Sequence, residues 1–218
     1  MIQEIVNIIS KASEWNWSAN IQAMTGIWVA TVATLALHTW RKQSKAQRQL
    51  DFLDTLTESV HEFINLIASP TQMVGFIKIG FEAYSSSPKT DKSLKQPGVV
   101  SYIEKNGAED SKRFLKSLKL CEPSLVKIRS LVVKGKVLSL SNHQDCVVAC
   151  KMITWQYDRI MSLATMIGIT PLNWKHPDVE RALEKVCALK KEDIVKDLNE
   201  YNNQLMEFIG KNYNVILK

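Results

Sequence analysis

The sequence predicts an all-α protein in which a single N-terminal transmembrane helix continues into a cytosolic bundle of five or six helices. Three observations lead there. Glycine and proline are scarce, 8 and 6 in 218 residues, about half the usual share, which disfavours a turn-rich sandwich or barrel. Residues 15–40 contain no Asp, Glu, Lys or Arg. From Leu50 onward apolar residues recur at spacings of three and four. The apolar share of 45% argues against disorder. Four cysteines in a chain this long are too few for a disulfide-dense secreted scaffold.

Residues 1–20 form the first expected segment, extracytoplasmic and amphipathic. Ile2, Ile5, Ile9 and Ala12 fall on one helical stripe, suited to lying on a bilayer surface or to packing on a neighbouring subunit. Residues 21–40, IQAMTGIWVATVATLALHTW, are the expected transmembrane helix. At about 1.5 Å per residue they cover roughly 30 Å, the thickness of a hydrocarbon core. Trp15 and Trp17 precede the run and Trp40 closes it, as indoles do at the two interfaces. Arg41 and Lys42 open a basic block, RKQSKAQR, that also holds Lys45 and Arg48 and no acid. The positive-inside rule then places the N-terminus outside and the C-terminus in the cytoplasm of a single-pass cell (inner) membrane protein. A cleaved signal peptide fits poorly, because its basic residues precede the apolar core. The competing reading is a buried soluble helix, since Gln22, four threonines and His38 dilute the hydropathy.

Within this span Met24, Trp28, Val32 and Leu35 share one arc suited to lipid. Gln22, Gly26, Ala30, Thr34 and His38 follow one another at i+4 on the other side. Small residues four apart let helix backbones approach, and polar ones bond between helices, so this face is the candidate oligomer face or pore lining. The partners expected are membrane lipid and further copies of the chain.

Residues 41–218 make up the expected cytosolic domain. Leu50, Leu53, Leu56, Val60, Phe63, Ile64 and Ile67 carry a helix from the membrane to Pro70, so a continuous helix over 21–68 would be roughly 70 Å long. Residues 71–83 read as a separate helix weakened by Gly75 and Gly80, and 85–98, SSSPKTDKSLKQPG, as a flexible loop. Further helices are expected over Val99 to Leu120, with a break at Asn106-Gly107, and over Pro123 to Lys134. His143 to Met166 should be the central helix, followed by Asp178 to Leu189 and Asp193 to Asn212. Val132 to Leu138 has a strand-like look without an evident partner strand.

The chemistry-bearing patterns are weak. His143, Cys146 and Cys150 lie one turn apart and Cys187 could complete a zinc set. Structural zinc usually uses short Cys-x-x-Cys knuckles in loops, and none is present, so packing as small hydrophobes is expected. His176-Pro177-Asp178 spells the J-domain tripeptide without the lysine-rich helix that should precede it; a helix first turn explains it better. No phosphate loop, dinucleotide fingerprint, GxSxG elbow or HExxH occurs. Hence neither an enzyme nor a cofactor or metal is expected. Net charge is +6, concentrated in the juxtamembrane block and in residues 112–136. Lys112, Arg113, Lys116 and Lys119 form a candidate basic binding patch there for nucleic acid, a nucleotide messenger or a protein partner. No aromatic except Phe114 is interleaved for base stacking, and the competing reading is a solvated face with no partner.

A spanning helix at 21–40, a basic stalk from Arg41 and a helical cytosolic domain form a layout that resembles small membrane-anchored effectors and accessory proteins of prokaryotic antiviral systems. It is most similar to the pore-forming accessory proteins of RNA-targeting CRISPR systems, whose helical domain is related to HEPN folds. The resemblance covers architecture along the whole chain and no motif. HEPN ribonucleases carry Arg, four to six residues, then His; neither His61 nor His143 has an arginine at that distance upstream. That missing spacing argues against ribonuclease activity, and the resemblance implies oligomerisation and membrane permeabilisation triggered by a cytosolic partner.

Overall fold

The computed structural model describes residues 2–6, 17–85, 94–169 and 171–218, with the side chains of 17–19 outside the description. Among these residues every regular element is helical. The main elements are α1 (Trp17–Ser85), α2 (Pro97–Tyr102), a π-helical turn (Ile103–Gly107), α3 (Ala108–Lys119), α4 (Glu122–Gly135), α5 (His143–Gly168), α6 (Pro177–Cys187) and α7 (Lys191–Ile216). One long helix, apolar in its N-terminal part, therefore precedes six shorter α-helices, as the sequence predicts. The chain divides into two compact units, residues 1–48 and 49–218. In the first, residues 2–6 are helical and exposed; the rest of the amphipathic stripe, Ile9 and Ala12, lies outside the described residues.

In the second unit, residues 49–85 of α1 bury Leu53, Leu56, Val60, Phe63, Ile67, Val74, Ile77 and Phe81 in the core. The spacing of three and four lays them along one face. Pro70 does not end this helix, contrary to expectation, but sits inside it. A proline there removes one backbone N–H and crowds the preceding turn. Burial of Pro70 itself and of Ile67 and Val74 on either side holds the helix through the lesion. The hydroxyl of Thr71, also buried, donates to the Ile67 carbonyl at 2.8 Å. The two glycines that weakened the expectation over 71–83 are sites of close approach. A Cβ at position 75 would stand 3.3 Å from Cδ of Lys191, and one at 80 would run into the ring of Tyr102 at 2.3 Å.

The loop expected over 85–98 is shorter at its C-terminal end. Ser85 is the last residue of α1, 86–93 lie outside the described residues, and Pro97 starts α2 at its first position, where a missing N–H costs nothing. Asn106-Gly107 widens the helix into a π turn instead of breaking it. Gly107 brings that turn onto α5, where an added Cβ would lie 2.2 Å from the Ile167 carbonyl oxygen. Val132 to Leu138 is not a strand: α4 runs to Gly135 and a turn follows. Leu131 and Gly135 belong to the buried helical face of α4 and take no part in an alternating pattern.

Helix α5 is central, packing against α3, α4, α6, α7 and the π turn. Its inward residues Ile153, Ile160, Leu163, Ala164 and Ile167 are fully enclosed. Polar groups tie the neighbours down. Ser111 donates to the Ala164 carbonyl at 2.6 Å. Asp197 on α7 accepts from Arg159 at 2.9 Å and from the buried Gln156 amide at 3.3 Å. Asn212 accepts from the Ser141 N–H at 3.0 Å and donates to the Ser141 and Phe208 carbonyls at 3.1 and 3.0 Å. It thereby fixes the turn before α5, in which Ser139 and Asn142 adopt positive φ.

Candidate membrane and binding surfaces

The first candidate surface is the N-terminal part of α1. From Asn20 it is long and apolar enough to cross a membrane, and none of its most apolar window is buried by the rest of the chain. Met24, Trp28, Val32 and Leu35 are all exposed, Trp28 at 67%. So are Gln22, Gly26, Ala30, Thr34 and His38. A Cβ at Gly26 would meet nothing within 4 Å. The hydroxyls of Thr25, Thr31, Thr34 and Thr39 donate to the carbonyls four residues earlier at 2.7, 2.8, 2.7 and 2.9 Å. Threonines bonded this way expose mainly methyl groups, which lowers the cost of placing them in hydrocarbon. Trp40, Arg41 and Lys42 follow on the same helix, exposed. Trp15 lies outside the described residues, and Trp17 begins α1 with its side chain outside the description.

The second surface is α3. Its inner face buries Ser111, Phe114 and Leu118, and its outer face exposes Lys112, Arg113, Lys116 and Lys119. The expected basic patch is therefore assembled on one helix. Arg113 pairs with Glu109 one turn earlier; the three lysines have no ion pair among the described residues. Phe114, the one aromatic interleaved in this stretch, is fully buried and so is not available to stack on a base. Arg129, also in the basic stretch, is held by Asp158 at 3.0 and 3.2 Å.

The cysteine cluster has a packing role. Cys146 and Cys150 are buried against each other on α5, and their mutual hydrogen bond, together with burial, pushes the Cys150 thiol far up. The His143 imidazole leans instead on the end of α4, where Gly135 leaves it room beside Phe52. No group of three or more His, Cys, Asp or Glu side chains is gathered around a possible metal position among the described residues. His176 caps α6, its Nδ1 accepting from the Asp178 N–H at 3.2 Å, with Pro177 in the first turn.

Two further features join residues distant in sequence. A groove between α4 and α5 is lined by Ile128, Val132, Val147, Cys150, Thr154 and Trp155. Trp155 is 47% exposed, with the Arg159 guanidinium stacked 5.0 Å from its ring centre. A cleft between α1 and the start of α7 gathers Phe76, Lys78 and Ile79 with Lys190 and Lys191. Burial holds the Lys78 ammonium below the ordinary lysine value and the nearby Lys190 adds to this, while Cys187 and Glu82 draw it back up. Sequence reading missed this cleft because its halves lie over a hundred residues apart. The usable signal was the run FIKIGF, which is apolar on more of its circumference than one buried face requires.

Comparison with protein-family models, with curated proteins and with solved structures finds no match to this chain.

Proposed function

We propose that the protein is a non-catalytic, homo-oligomeric membrane effector, anchored by a single pass over residues 21–40, that permeabilises or depolarises the bilayer when its cytosolic helical domain senses a partner. The observation that carries this reading is the apolar stretch of α1 from Asn20, of which the chain buries none. An apolar surface of that extent is not left in water by a folded domain; lipid or further copies must cover it. Its hydroxyls are satisfied within the helix, and its one polar and small-residue face, Gln22, Gly26, Ala30, Thr34 and His38, suits contact between copies around a wet path. The basic residues from Arg41 support a cytoplasmic C-terminus in the inner membrane. The resemblance of this layout, read from the sequence, to pore-forming antiviral accessory proteins is the support for a role in defence against viruses.

The test is overexpression, at which mass action assembles copies without the partner, in cells loaded with a potential-sensitive dye, with Gly26→Leu as the comparison. Since nothing lies within 4 Å of that position in one chain, the substitution spares the monomer and disturbs only closely packed copies. Depolarisation by the parent chain and its loss in Gly26→Leu, at equal membrane abundance, are expected. Unchanged polarisation with the parent chain in the membrane fraction refutes the reading.

A second reading is favoured by α3: a membrane-tethered helical module that recruits nucleic acid or protein through Lys112, Arg113, Lys116 and Lys119. Four exposed cations on one helix, three of them unpaired among the described residues, support it. Reversal of all four to Glu then abolishes recruitment with oligomers intact, whereas a permeabilising effector that uses no partner at α3 still depolarises.

A further inference from the structure

The cleft between α1 and the start of α7 holds a combination that folding alone does not explain. Lys78, Lys190 and Lys191 come together from two helices, and none has a carboxylate within 4 Å among the described residues. Lys78 is partly withdrawn from water, which disfavours its charged form, and Lys190 adds a smaller repulsion that the nearby Glu82 outweighs. Gly75 lets the stem of Lys191 lie close against α1, where even a Cβ would stand 3.3 Å from its Cδ. Phe76 and Ile79 stand in the same cleft at 70% and 62% exposure, turned away from the face that carries Val74, Ile77 and Phe81 into the core. Glu82, Glu192 and Gln72 complete the rim. The space is about 440 Å³, within the range of small-molecule sites.

We propose that this cleft binds a nucleotide-class ligand, its phosphates on Lys78, Lys190 and Lys191 and its flat ring on Phe76. Ammonium groups form charge-assisted hydrogen bonds to phosphate oxygens, and an anion would offset the cost of holding the Lys78 ammonium partly buried. An exposed phenyl ring offers a face on which any base stacks. The rim carboxylates accept from sugar hydroxyls and discriminate against bare polyanions. The assignment concerns residues 72–82 and 190–192 only, and stands whether or not the first unit crosses a bilayer.

Calorimetric titration of the full chain in detergent, at low salt, with ATP and separately with pyrophosphate, tests it. ATP binds at millimolar concentration or below, and pyrophosphate binds more weakly. Lys78→Gln weakens both by about tenfold or more, and Phe76→Ala weakens ATP alone by about fivefold or more. If Lys78→Gln lowers the melting temperature, Lys190→Gln on the exposed rim replaces it. ATP should also protect Lys78, Lys190 and Lys191 from amine labelling read by peptide mass. Three outcomes overturn the proposal: no binding of ATP at about 5 mM, ATP affinity indifferent to Phe76→Ala, or protection confined to Lys112, Lys116 and Lys119 on α3.

Discussion

Two glycine-to-alanine substitutions, both in helical backbone, should move stability in opposite directions. Gly107 has φ −59° and ψ −40°, so alanine fits its backbone. By intrinsic preference alone Gly107→Ala would stabilise the helix by about 1 kcal/mol. Its Cβ, however, would arrive 2.2 Å from the Ile167 carbonyl oxygen, where ordinary contact begins at 3.4 Å. The obstacle is backbone of α5 and cannot rotate aside, so the π turn must separate from the central helix. Overpacking of this kind costs about 1–3 kcal/mol, and an overlap with backbone belongs near the upper end, leaving a net loss of about 2 kcal/mol. Gly210, within α7, would have nothing within 4 Å of its new Cβ, so Gly210→Ala should gain about 1 kcal/mol. For a unit of this size each kcal/mol corresponds to about 2–4 °C. Thermal unfolding of the detergent-solubilised chain should therefore show Gly107→Ala melting about 4–8 °C below the parent and Gly210→Ala about 2–4 °C above it. A Gly107→Ala chain that melts at or above the parent temperature would refute the close approach of the π turn to α5.

Phe63→Ala removes a fully enclosed ring from α1 and should cost about 3–5 kcal/mol in urea unfolding; a cost below 1 kcal/mol would contradict that burial. Asn212→Leu strips the Ser141 N–H and carbonyl of their partners and should cost about 1–3 kcal/mol, with faster amide exchange at the turn before α5. Stability should also fall at alkaline pH. Burial pushes the Cys121 and Cys187 thiols up to about 11 from 9.0, and the hydrogen bond to Asp54 pushes Tyr213 up to about 12 from 10.0. Their neutral forms favour the folded state, so the benefit is complete below pH 9 and is lost as pH rises from there to 12. The urea midpoint should decline over that window, less steeply in Tyr213→Phe; a flat profile to pH 12 would count against it.

Helix periodicity carried the fold far because the core depends on stripes such as Leu53, Leu56, Val60, Phe63 and Ile67, whose spacing is visible without knowing any partner. The same logic gave α5 its central place. It failed where local rules were outweighed by tertiary packing. Pro70 should end a helix and does not, since flanking residues are buried strongly enough to carry the chain past it. Val132 to Leu138 imitates a strand because β-branched residues share the end of a helix with an exposed turn. Of the candidate surfaces, the exposed stretch of α1 and the basic face of α3 were legible since each lies within one helix. The lysine cleft and the Trp155 groove were not, because each is made by two helices that periodicity cannot bring together.

Gly80 and Tyr102 make a pair whose halves cannot be exchanged one at a time. The ring lies where a side chain at 80 would stand, it also packs perpendicular to Phe81 and Tyr84, and its hydroxyl is tied to Asp110. An evolving lineage would have to shrink position 102 before enlarging position 80, and would lose the Asp110 tie on the way. Divergent chains with this fold should therefore change the two positions in concert, which makes the pair a compact signature by which distant kin could be recognised when overall identity has faded.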